Sequence, residues 1–255
     1  MTSLMSKFAL TAAACIAIVT STGANAADKA APGGLYVGYY MEDPIANPED
    51  PTPGAFVLSL PENDASFSGA MFFTFVGCQH SNVGNVTGSK SGYGLSGTWS
   101  GTVDASMQSG PYKGTYDPGT GSYKGVYTVS GGKQFKKIEG CIQYYIGPHG
   151  TWEMFPVEQN QPASFKVNVS PTRISWAAVP NAATTLVYVL DPAVAKAGAG
   201  NPVLFQTIVM GKTASLNVAG VGARVTKGKE YVIATLVNDG QGRRVAFGTK
   251  RFVAP

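Results

Sequence analysis

At 255 residues, 44% of them hydrophobic, the chain is long enough to bury two cores of ordinary size and too apolar to be a disordered polymer. Charged residues make up 13%, well below the roughly 25% of a typical soluble protein, and 32 glycines favour turn-rich β-structure over helical bundles. The formal net charge of +4 is small and scattered, which argues against nucleic acid as a partner.

Residues 1–26 contain one cation, Lys7, an apolar run over 8–19, and Ala24-Asn25-Ala26. This is the pattern of a Sec-type signal peptide cut after Ala26. The apolar run is shorter than the roughly 20 residues of a membrane span, and it continues past Cys15, against a lipoprotein reading. No later stretch is apolar for long enough to be a transmembrane helix. The expected location is periplasmic or extracellular.

Cleavage would leave Cys78 and Cys141, an even pair in an oxidising compartment, and a disulfide between them is the expectation. The alternative is a metal or redox site that adds His80 and His149, but the spacing matches no zinc signature. No metal or other cofactor is expected.

In chain order, residues 35–41 read as a first strand from their aromatic and β-branched content. Residues 42–54 carry prolines at 44, 48, 51 and 53, so they form a loop. Its acids Glu42, Asp43, Glu49 and Asp50 lack the ordered spacing of a calcium loop. Strands are expected at 55–60 and 68–77, then a polar, Gly-rich loop or loose hairpin over 79–94. Residues 95–103 alternate strictly, with Leu95, Gly97, Trp99, Gly101 and Val103 on one face and hydroxyl side chains on the other.

Tyr-Lys-Gly-Thr-Tyr at 112–116 recurs as Tyr-Lys-Gly-Val-Tyr at 123–127 around Asp-Pro-Gly-Thr-Gly-Ser, which reads as a hairpin. Tyr112, Gly114 and Tyr116 then share one face, as do Tyr123, Gly125 and Tyr127. A basic turn at 133–137, a strand at 138–146 and a last strand at 150–157 complete the unit. About eight strands joined mainly by short turns give an antiparallel meander, either a small barrel or a two-layered sandwich. The repeated Tyr-x-Gly-x-Tyr resembles membrane-occupation-and-recognition-nexus repeats over about 16 residues of sequence. Gly-Thr-Trp at 97–99 and 150–152 resembles the strand starts of biotin-binding and lipocalin-like barrels, without their ligand residues.

Residues 158–162 form a polar linker, and beyond it the glycine–aromatic pattern stops. Strands expected at 165–169, 172–177, 185–190, 203–210, 214–218, 230–237 and 245–253 amount to a β-sandwich. Ile174-Ser175-Trp176, Val179-Pro180-Asn181-Ala182, Leu186-Val187-Tyr188-Val189, Leu216-Asn217-Val218, Lys227-Gly228-Lys229-Glu230-Tyr231 and Val237-Asn238-Asp239-Gly240 together resemble a fibronectin type III domain. The resemblance implies a core role for Trp176, a tyrosine-corner role for Tyr231, and a spacer or binding module. The departure from it is a long connection over 191–202. The domain expectation is therefore a signal peptide (1–26), a Gly/aromatic-rich β-domain (27–157), a linker (158–162) and a fibronectin type III-like sandwich (163–255), all β.

No stretch carries a catalytic signature. His80 and His149 are the only histidines, and neither neighbours a nucleophile elbow. Glu139 and Glu153 are the nominal pair for a glycoside hydrolase, kept as an alternative. Trp152 beside Glu153, with Tyr144 and Tyr145 close in sequence, suits stacking on a sugar face or a partner surface; the alternative is that Trp152 and the tyrosines form the barrel core. The leading expectation is an exported, non-catalytic binding protein for a glycan or a cell-surface protein. A structural or assembly subunit of the envelope is the other alternative.

Overall fold

The computed structural model describes residues 31–42, 53–75, 81–103, 106–130, 149–157, 165–197, 202–218, 224–241 and 243–254. Cys78, Cys141, Tyr144, Tyr145, Glu139 and His80 lie outside them, as do the signal-like N-terminus, the linker and the basic turn at 133–137.

Eight strands form a closed barrel: β1 (Gly34–Glu42), β2 (Pro53–Leu60), β3 (Ala65–Phe75), β4 (Ser81–Ser91), β5 (Gly94–Val103), β6 (Ser106–Asp117), β7 (Ser122–Thr128) and β8 (His149–Pro156). Each pairs antiparallel with the next, and β8 returns to β1, so the barrel has no free edge. In the expected hairpin, Tyr112 stands opposite Tyr127, Gly114 opposite Gly125, and Tyr116 opposite Tyr123.

One expectation changes. Residues 81–91, within the stretch expected as a loop or a loose hairpin, are the regular eleven-residue strand β4, paired with both β3 and β5. Its inward positions include Gly84, Val86, Gly88 and Lys90, so the apolar alternation that marks a half-buried strand is missing. The strand expected at 138–146 lies outside the described residues, and the barrel closes without it because β7 pairs directly with β8.

The inward glycines explain the composition. A Cβ at Gly125 would stand 2.5 Å from Cζ2 of Trp152, one at Gly114 2.5 Å from the same ring, and one at Gly150 2.6 Å from the Tyr127 ring. A small residue on one strand thus makes room for an aromatic ring from its neighbour. The interior is filled by Tyr36, Phe56, Leu58, Leu60, Val86, Leu95, Tyr123, Trp152 and Met154.

The lower end of the barrel is closed by the chain entering β1. Ala31 is 1% exposed and donates its amide to Gly92 O at 3.1 Å, and the Tyr36 hydroxyl donates to Pro32 O at 2.5 Å. The Lys90 ammonium, also 1% exposed, donates to Ala31 O at 2.6 Å and Glu62 O at 3.1 Å. Burial pushes the Lys90 amine below its usual range, opposed by the charges of Asp64 and Glu62.

The C-terminal unit has two sheets. One runs β13 (Ser215–Asn217), β10 (Arg173–Trp176), β9 (Val167–Ser170); the other runs β12 (Val203–Met210), β11 (Thr184–Leu190), β14 (Glu230–Asn238), β15 (Arg244–Val253). Their facing sides bury Phe165, Val167, Ile174, Trp176, Val187, Val189, Tyr231, Ile233 and Val237. The Tyr231 hydroxyl accepts the Thr226 amide at 2.8 Å.

A third core joins the two units. The outward residues Leu35, Val37, Ala55, Val57, Phe155 and Val157 of the barrel pack against Leu186, Tyr188, Leu190, Val232, Ala234, Leu236 and Phe247 of the four-stranded sheet. Strand β11 is consequently buried along its whole length, one face in each core. The long connection after β11 contains helix α1 (Pro192–Ala197), which had not been expected; Ala195 joins the same core and the helix lies against β1. Asp191 caps it, accepting the amides of Ala193 at 3.1 Å and Val194 at 3.3 Å, with Pro192 in the first turn.

Candidate functional site

Trp152 and Glu153 are neighbours in sequence, but adjacent strand residues point to opposite faces, and the structure separates them accordingly. Trp152 points into the barrel and is 7% exposed; its indole donates to Val126 O at 3.1 Å, and its ring meets Phe56 and Tyr112 edge-on at 6.5 and 6.3 Å. It is a core residue at the base of a larger aromatic group.

That group occupies the upper half of the barrel interior. Tyr40, Trp99, Tyr112 and Tyr127 are each half-buried. The Tyr127 ring stands 6.0 Å from Tyr40 and 6.4 Å from Trp99, both edge to face. Backbone carbonyls hold their polar atoms: Trp99 Nε1 donates to Thr128 O at 3.3 Å and the Tyr112 hydroxyl to Thr87 O at 3.4 Å. Burial pushes the Tyr112 phenol well above its usual value, so it stays neutral and keeps its proton. The group offers aromatic faces and neutral hydroxyls, which suit stacking and hydrogen bonding.

Alternation with glycine is the signal that could have found these residues. Each sits two positions from a glycine on its own strand: Gly38, Gly97 and Gly101, Gly110 and Gly114, Gly125.

Glu153 lies on the outside, where barrel meets sandwich, and its side chain is 10% exposed. Oε2 accepts from the Tyr39 hydroxyl at 2.8 Å and lies 3.5 Å from Arg244 Nε; Oε1 accepts from Ser122 Oγ at 2.9 Å and lies 3.8 Å from Lys124 Nζ. Burial, and then the neighbouring carboxylate, push the Tyr39 phenol up. With both oxygens held, this carboxylate ties Arg244 of the sandwich to the barrel. No local sequence signal could reveal it, because Tyr39 and Arg244 are 205 residues apart.

Among the described residues, no group of three or more His, Cys, Asp or Glu stands together as a metal site, and no helix is long and apolar enough to cross a membrane. No protein-family model matches the chain, and none of the curated proteins matches it significantly.

Proposed function

We propose that the chain is an exported, non-catalytic binding protein of the periplasm or extracellular space, which takes a glycan or a cell-surface partner on the aromatic group of its barrel. The observation that carries this reading is the run of contacting rings in which Tyr40 and Trp99 meet Tyr127 and Tyr112 meets Trp152, none of them an ionised side chain. Stacking on flat, weakly polar surfaces is the chemistry such rings support. Retention of the exported chain on isolated cell wall and on a panel of polysaccharides tests it. Retention that the Trp99→Ala and Tyr127→Ala variants both lose supports the reading, and no retention on any polymer rules out the glycan version.

The same reading includes a Cys78–Cys141 disulfide. Strands β3, β4, β7 and β8, which border residues 76–80 and 131–148, all end at the upper rim, so the two connections start from the same side of the barrel. A mass increase of about two hydrogens on reduction of the intact chain would establish the bond. The C-terminal unit reads as a fibronectin type III-like sandwich, supported by its three-plus-four division of strands and by the Tyr231 hydroxyl accepting the Thr226 amide. A structural or assembly role is the second reading, favoured by the free edge of β12.

A further inference from the structure

The barrel is closed, so the described strands leave four free edges, all in the sandwich: β9, β13, β12 and β15. Three carry the usual protection against pairing with another chain. Strands β9 and β13 are four and three residues long. Strand β15 carries Arg244, Lys250 and Arg251, and its register shifts beside Asn238. Strand β12, Val-Leu-Phe-Gln-Thr-Ile-Val-Met over eight residues, has no charge, no proline and no residue fully buried, and Met210 at its end is 64% exposed.

The direction of its backbone groups follows from one bond. The Gly211 amide donates to Ala183 O at 2.7 Å, and pointing alternates along a strand, so the backbones of Phe205, Thr207 and Val209 face β11. Those of Leu204, Ile208 and Met210 face outward. The Leu204 carbonyl is taken by Arg224 Nη1 at 2.9 Å. The outward N–H and C=O groups of Ile208 and Met210 meet no partner among the described residues.

We infer that this stretch of β12 pairs antiparallel with the same stretch of a second copy, making a two-fold dimer through edge-to-edge addition of the two four-stranded sheets. A second copy fits because the strand is uncharged. Self-pairing sets no like charges directly opposite each other, and Ile208 of one copy can face Met210 of the other, joining outward backbone groups and apolar side chains together. The inference is independent of what the barrel binds.

Sedimentation velocity of the purified exported chain over a loading series tests it. The expected result is a dimer that dissociates on dilution. Met210→Lys, at a site already exposed to water, and Ile208→Pro, whose amide points away from β11, are each expected to give monomer at loadings where the unaltered chain is dimeric, with an unchanged circular dichroism spectrum. If Ile208→Pro fails to fold, Met210→Lys alone decides. A chain that is monomeric at every loading, or a dimer that survives Met210→Lys, overturns the inference.

Discussion

Phe155, on the outside of the barrel, stacks on Phe247 of the sandwich with 4.8 Å between ring centroids and 25° between planes. The Arg244 guanidinium lies 4.5 Å from the centre of the same Phe155 ring, and its Nε faces Glu153. The junction therefore combines a stacked pair, a cation over an aromatic face and a held carboxylate beside a continuous apolar core.

That junction should make the two units unfold together. Phe247→Ala removes a buried ring from it, and substitutions of this kind cost about 3 kcal/mol or more. In urea the unaltered chain is expected to show one transition by both tryptophan fluorescence and far-UV circular dichroism. The variant is expected to unfold earlier, with the two probes no longer coincident. A variant as stable as the original would mean the units do not depend on each other.

Within the barrel, Gly125→Ala would force its new methyl against the Lys113 carbonyl oxygen and, at 2.5 Å, against the Trp152 ring, and overpacking of this order costs about 1–3 kcal/mol. Gly119→Ala, in the exposed β6–β7 turn, is expected to cost far less. Pairing Gly125→Ala with Trp152→Phe should recover part of the loss. A double-mutant cycle by chemical denaturation measures this, and simple additivity would show that the ring and the glycine are not matched.

How far the sequence was legible follows the same division. Period-two alternation marks the β5 face and the shared faces of the two strands of the 112–127 hairpin, where a repeated Tyr-Lys-Gly motif flanks a clear turn; the cross-strand register is read from the structure. Strand β4 escapes a hydrophobic pattern because, of its inward positions, Gly84 and Gly88 have no side chain to register, Lys90 is charged, and only Val86 is apolar. Trp152 was noticed for its chemistry, yet Gly114 and Gly125, which place it inside, lie on other strands. The outward apolar residues Leu35, Val37, Val57 and Phe155 make the barrel's strands apolar on both faces. That pattern was the available sign of a second packing partner, and only tertiary pairing reveals which one.

Asp191 links helix α1 to the sandwich. Burial works against its ionisation, but the hydrogen bond from Lys229 at 2.5 Å and the amides of Val194 and Ala193 outweigh it, so its carboxyl sits below the usual range. A group with a lowered folded-state pKa contributes stability that is complete above its unfolded value of about 3.9 and fades as pH falls through the folded value. Asp191→Ala is expected to lower stability at neutral pH by about 1 kcal/mol through loss of the cap, and to lose less than the original chain on acidification over that window. Equal acid sensitivity in thermal melts of the two would contradict the assignment.

The most direct test of the barrel as a binding site uses the chain's own tryptophans. Trp152 and Trp176 are 7% and 6% exposed, whereas Trp99 is half-buried within the aromatic group. Titrating the exported chain with soluble fragments of wall polysaccharide is expected to change tryptophan emission, and Trp99→Phe is expected to abolish most of that change. No change with any fragment, or a change that Trp99→Phe leaves intact, would contradict binding at this end of the barrel.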